Sequence, residues 1–142
     1  SLEALEVLRH STAHLMAQAI KSLYPDAEFY VGPVVKEGFY YDFKTSETIG
    51  EADLKKIEKQ MLSFAKKKYK IEKYDISMDE AKEKFKDDHL KLEVMKRIPS
   101  ETVSIYKQGE FEDLCRGPHL PTVGLIRYFK LTKIAGAYLG GD

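Results

Sequence analysis

The sequence has a single cysteine, Cys115, so it cannot close an internal disulfide, and a reducing, cytoplasmic setting is expected. It has no net charge either, since 23 basic residues are matched by 23 acidic ones. That argues against a domain that grips nucleic acid chiefly by bulk charge, but not against one that is handed an end of a nucleic acid by a neighbour. No stretch approaches the roughly 20 apolar residues of a membrane span, and no secretory leader is visible. Internal repeats, low-complexity tracts and a regular βαβ alternation are missing as well, which leaves a mixed α+β fold. The 142 residues suffice for a single domain, 1–142, with a proper core. The start at Ser1 in place of Met leads us to expect a fragment of a larger protein.

Against these absences stand two dense motifs. His10-Ser11-Thr12-Ala13-His14 puts two imidazoles at i and i+4, on one face of a helix. Asp113-Leu114-Cys115-Arg116-Gly117-Pro118-His119 presents a thiol and an imidazole four residues apart from a Gly-Pro turn. Together they hold the only cysteine and three of the four histidines.

Residues 2–24 read as a helix with Leu5, Leu8, Thr12, Leu15, Met16, Ala19, Ile20 and Leu23 in one stripe. That stripe centres opposite His10 and His14, whose own face carries Val7, Ala13 and Ala17. Such small neighbours imply a second packed surface or a cleft beside the rings. Pro25-Asp26 ends the helix. Ala27–Val35 and Phe39–Phe43 read as a hairpin around Lys36-Glu37-Gly38, with Phe39, Tyr41 and Phe43 on one face.

Thr48-Ile49-Gly50-Glu51 resembles a capping box for a helix running to about Lys68, with Leu54, Ile57, Met61, Phe64 and Ala65 inward. Lysines 55, 56, 59, 66–68, 70 and 73 make this the one basic stretch, a solvated helix face or a phosphate-contact surface. Ile71–Ile76 reads as a strand, Ser77-Met78-Asp79-Glu80 as a second capping box, and Asp87-Asp88-His89 as a break with His89 solvated. Period alone leaves Leu90–Met95 open between helix and strand. A strand follows at Thr102–Tyr106, a turn at Gln108-Gly109, and one or two strands over Leu125–Ile134 with a bend at Ala135-Gly136. Gly140-Gly141 reads as the start of a linker.

Brought together, His10, His14, Cys115 and His119 have two chemical readings. One is a tetrahedral zinc site. The other is a metal-free hydrolytic pocket whose imidazoles orient water and move protons. A cysteine nucleophile is less well supported, because His119 at i+4 on a turn has no assured route to Cys115. A purely structural alternative keeps Cys115 as a small buried hydrophobe and pairs Arg116 with a nearby acid.

The two motifs resemble the editing domain of bacterial-type threonyl-tRNA synthetases, of the threonyl/alanyl-tRNA synthetase second additional domain family. Gly32-Pro33-Val34, Gly38-Phe39-Tyr40-Tyr41-Asp42, Lys130-Leu131-Thr132 and Ala135-Gly136-Ala137-Tyr138 follow the same pattern in the same order. The resemblance implies a cleft between the HxxxH helix and the CxxxH loop, and hydrolysis of seryl-tRNA(Thr). One methyl separates serine from threonine and gives a synthetic site only about 1–3 kcal/mol of discrimination. His10, His14, Lys91, Asp113, Cys115 and His119 are the catalytic candidates by that resemblance, with Tyr41, Asp113 and Arg116 binding substrate. His10 and Lys91 are expected near the attacking water, His14, Cys115 and His119 shape the pocket, and Asp113 fixes the substrate amine or hydroxyl. No cofactor is required by the threonyl-type heptapeptide. A zinc ion, if present, would sit on His10, His14, Cys115 and His119, as in the related alanyl type. The implied partners are the tRNA(Thr) acceptor end and the rest of a homodimeric synthetase, with no membrane. A zinc-dependent alanyl-type editing domain and a non-catalytic acceptor-end binding module are the alternatives.

Overall fold

The computed structural model describes residues 2–30, 34–35 and 38–132, with the backbone alone at 34–35. The expected turn at Lys36-Glu37, the Ala135-Gly136 bend and the Gly140-Gly141 linker lie outside the described residues, as do Gly32-Pro33 and Ala137-Tyr138.

The first helix, α1 (Leu2–Leu23), is the axis of the fold. It contains neither glycine nor proline, and its alanines and leucines are strong helix formers. Every residue from Ser11 to Ile20 is buried, so the helix is covered all round there rather than along one stripe. Leu5, expected inside, is instead exposed at the N-terminal end that nothing described covers. Leu15 and Ile20 are shut off from solvent, each contributing about 1.5–3 kcal/mol through burial.

Around α1 lie a broken hairpin and a second helix. The two expected strands divide into β1 (Glu28–Phe29) paired with β4 (Phe43–Lys44), and β2 (Val34–Val35) paired with β3 (Gly38–Phe39), all antiparallel. Tyr41 turns inward between them while Tyr40 stays exposed, as the alternation required. Helix α2 (Leu54–Lys66) packs on α1 through Ile57, Met61 and Ala65. It does not begin at a Thr48 box. A 3₁₀ turn at Glu51–Asp53 leads in, and the Asp53 carboxylate accepts the Gly50 N–H at 2.9 Å. The basic stretch runs along the solvent side of α2 and past its end, with lysines 55, 56, 59, 66–68, 70 and 73 all exposed.

A three-stranded antiparallel sheet completes the fold: β5 (Glu72–Ser77), β6 (Thr102–Gln108) and β7 (Phe111–Leu114). Ser77 caps α3 (Met78–Lys84) as its motif required, its side chain accepting the Glu80 N–H. Leu90–Met95 resolves as helix α4 (His89–Met95), so Asp87-Asp88-His89 is the start of a helix rather than only a break. One face of the sheet packs on α3 and α4 through Val103, Ile105 and Leu114. The other turns Tyr106, Gln108, Phe111 and Asp113 towards α1. Gln108 and Gln18 of α1 pair there as buried amides, at 2.9 Å from side chain to side chain.

The strands expected over Leu125–Ile134 do not form among the described residues. After a 3₁₀ turn at Val123–Leu125, the segment runs as irregular backbone along α2. Ile126 anchors it in the core, and the Leu131 N–H goes to the Glu58 carboxylate at 3.1 Å. Sidechain capture of the backbone replaces a strand ladder. No described helix is long and apolar enough to cross a membrane.

Candidate active site

Three local rules converge on one place. Helical spacing stacks His10 and His14 on one side of α1, with Ser11 next to them. Strand alternation sends Phe111 and Asp113 from β7 towards the same helix. Cys115 continues that strand by one more bond, its N–H reaching the Ser104 carbonyl at 3.2 Å. The chain then doubles back at Gly117, whose φ of 75° suits glycine. A Cβ there would lie 1.9 Å from the Tyr106 hydroxyl, so only glycine lets the loop close over that ring. The doubling back delivers His119 to Cys115.

The resulting cluster is tight. His119 Nε2 lies 3.0 Å from Cys115 Sγ, which also accepts the Gly117 N–H at 3.3 Å. His119 Nδ1 lies 3.1 Å from Ser11 Oγ. The His119 ring lies tilted against both His14, at 4.4 Å, and Tyr106, at 4.3 Å between centroids. Burial lowers the His14 pKa from 6.5 to about 4 against the pull of Asp113. Burial and the neighbouring histidines lower that of His119 to about 3. Burial raises the Cys115 thiol above its ordinary range. All three are therefore uncharged at neutral pH. The route from His119 to Cys115 that the sequence did not assure does exist, but it joins a neutral thiol to a neutral imidazole rather than an activated ion pair.

Beside the cluster lies a charged network. Lys91 Nζ pairs with Asp113 Oδ1, the Tyr41 hydroxyl donates to Asp113 Oδ2, and the Leu114 N–H donates to Asp113 Oδ1 at 2.8 Å. Burial on its own would raise the Asp113 pKa. The Lys91 charge, His14 and the two side-chain hydrogen bonds outweigh it and hold the carboxyl below its ordinary value. Burial and Asp113 push the Tyr41 phenol well above 10, so it remains a donor. Lys91 is placed by Asp88, whose carboxylate caps α4 by accepting the Lys91 N–H at 2.9 Å and ties it to β1 by accepting the Phe29 N–H at 3.3 Å.

Of the residues singled out in the sequence, the fold brings together His14, Cys115, His119, Tyr41, Lys91 and Asp113. His10 stands at the rim, its side chain 26 % exposed, 4.0 Å from Glu6 and 6.2 Å ring to ring from His119. Arg116 points outward and no described residue pairs with it. His89, read as solvated, is exposed but bonds Glu28 through Nδ1 at 2.9 Å. Sequence reasoning missed Ser11 and Tyr106. Ser11 lay inside a quoted motif, but nothing local marks a helical serine as facing a histidine 108 residues away.

His14, Cys115 and His119 place their donor atoms within 4.8 Å of one another and can hold a metal ion. Their thiolate and imidazole chemistry suits zinc. His10, the fourth ligand expected, is not in that group. On another side, Lys91, Asp113 and Phe111 help to line a cavity of about 870 Å³, whose walls include none of His10, His14, Cys115 and His119.

Residues 103–140 match the Threonyl and Alanyl tRNA synthetase second additional domain. The whole chain is 70 % identical to a segment of the threonine-tRNA ligase of Sulfurovum sp. (strain NBC37-1), covering 24 % of that protein. It is likewise 65 % identical, over its full length, to segments of the threonine-tRNA ligases of Campylobacter jejuni and Nautilia profundicola, covering 24 % and 23 % of them. The chain thus spans about a quarter of the length of these relatives. It resembles one part of such a ligase.

Proposed function

We propose that this chain, similar throughout to a segment of threonine-tRNA ligases, hydrolyses the ester of seryl-tRNA(Thr) and spares threonyl-tRNA(Thr). The observation that carries the proposal is the close-set His14, Cys115 and His119 against the Lys91, Asp113 and Tyr41 network. Ester hydrolysis needs a placed water, a group to take its proton and donors for the tetrahedral oxyanion. His14 is neutral at pH 7 and no described residue bonds its ring nitrogens, so it can accept a hydrogen bond from water or from the seryl hydroxyl. In this reading His10, at the rim beside solvent, receives the water's proton.

Lys91 supplies a fixed positive charge for the oxyanion, Asp113 holds that charge in place, and Tyr41 in turn holds Asp113. Both Asp113 oxygens already accept hydrogen bonds, so Asp113 organises Lys91 and Tyr41 more than it binds the substrate amine. The uncharged, closely packed rings favour a small hydroxymethyl side chain. No metal is required in this reading. Where one is held, His14, Cys115 and His119 hold it, and it would supply Lewis-acid polarisation of the ester carbonyl. The partners are the tRNA(Thr) acceptor end and the remaining domains of a homodimeric ligase.

The test is deacylation of seryl-, threonyl- and alanyl-tRNA at high protein concentration, with and without a chelator, beside a His14→Ala variant. Loss of the seryl ester alone, abolished by the substitution and indifferent to the chelator, is the expected result. Chelator-sensitive loss of the alanyl ester would replace the reading with an alanyl-type site. No deacylation, in the chain or in a ligase containing it, would leave an acceptor-end binding module.

A further inference from the structure

Ser11 is fully buried and has two polar partners among the described residues. One, the Leu120 N–H, is a donor and reaches Ser11 Oγ at 2.9 Å. The other is His119 Nδ1, at 3.1 Å. A serine hydroxyl has one hydrogen to give and lone pairs to receive. Since the Leu120 amide can only donate, the hydroxyl hydrogen has one destination among the described residues, the His119 Nδ1 lone pair. The reverse arrangement, with Nδ1–H donating to Ser11, would leave a hydroxyl hydrogen buried and unpaired, which is costly.

We infer that Ser11 is a positioning residue that fixes His119 as the tautomer protonated on Nε2. This inference rests on the hydrolytic reading of the site and adds a part to it. A ring whose Nδ1 accepts from Ser11 presents Nε2–H to Cys115 Sγ, 3.0 Å away. Both nitrogens of His119 are then committed. His119 holds Cys115 in place and is not a free base, so proton transfer falls to His10 and His14. Taking a metal on Nε2 would require the proton to move to Nδ1, against Ser11.

The test reads the tautomer directly, by long-range nitrogen-15 NMR of the chain labelled in its histidine rings, with the His119 signals assigned from a His119→Gln sample. Nε2 protonated and Nδ1 bare is expected in the unsubstituted chain. Nδ1 protonated overturns the inference whether or not any variant folds. In Ser11→Ala the two His119 forms should become mixed, with kcat for seryl-tRNA hydrolysis down about tenfold and KM little changed. Ser11→Thr, which keeps the hydroxyl, should restore the single tautomer and most of the rate. A Ser11→Ala chain that folds and keeps the single tautomer sinks the inference. If the unsubstituted chain shows the expected tautomer yet neither it nor a ligase containing it hydrolyses the ester, the hydrolytic reading fails and the Ser11 assignment stands.

Discussion

Lys91 and Asp113 form an ion pair whose side chains are 3 % and 2 % exposed, between a helix and a strand that meet only through the tertiary fold. Such a pair is weak evidence of added stability, since desolvation offsets much of its attraction. Removing one member is another matter, because the other is left charged and buried. Asp113→Asn and Lys91→Met are each expected to cost about 3–5 kcal/mol in urea unfolding. The double variant Lys91→Met with Asp113→Leu should recover most of that while remaining inactive. Single variants within about 1 kcal/mol of the parent would show the pair to be solvated.

Stability should fall on acidification in a window set by the two buried imidazoles. Each has a folded pKa below its ordinary 6.5, about 4 for His14 and about 3 for His119, chiefly through burial. Between 6.5 and those values the unfolded chain binds more protons, so stability is lost as pH falls, by about 1.4 kcal/mol per pH unit for each ring. It is fully present above pH 6.5. Asp113, with its lowered pKa, adds a loss of the same sign at lower pH. Urea unfolding at pH 7, 6 and 5 with a chelator present should show this slope, and His14→Phe should flatten it. An unchanged slope in that variant would show that His14 does not titrate as argued.

Gly117 combines a positive φ with an approach to Tyr106 that leaves no room for a Cβ. Gly117→Ala is expected to destabilise by about 2 kcal/mol or more and to displace His119 from Cys115. Adding Tyr106→Phe removes the hydroxyl that the new methyl meets first, and should return part of the loss. Thermal unfolding of the single and double variants checks this. Equal losses in both would place the strain in the backbone alone.

Asp88 joins α4 to β1, so its effect should reach beyond the helix it caps. Asp88→Ala is expected to cost about 1–2 kcal/mol, the range for a lost helix cap. Hydrogen exchange should quicken at the Lys91 and Phe29 amides together. Quickening at Lys91 only would confine Asp88 to a local cap.

Much of the fold was legible because local rules carry it. The long first helix, the inward and outward faces of the hairpin and the Ser77 cap each depend on residues a few positions apart. Where a rule needed a distant partner it failed. Leu90–Met95 had no decisive period, and its start is fixed by Asp88 and by the hydrogen bonds that tie Asp88 and His89 to β1. The expected strands after Leu125 found no strand to pair with among the described residues, and Glu58 took a backbone amide instead.

The candidate site divides along the same line. The sequence by itself determined the α+β class, the pairing of His10 with His14 along one helix face, and the Cys115 to His119 spacing, because chain geometry sets these over four residues. The resemblance of the motifs added Tyr41, Lys91 and Asp113. Only the tertiary structure decided that His119 folds back onto Cys115, that His10 stays at the rim, that Lys91 meets Asp113 in the interior, and that Ser11 faces His119. Burial and hydrogen-bond completion settle those relations, and both depend on every element packed around α1.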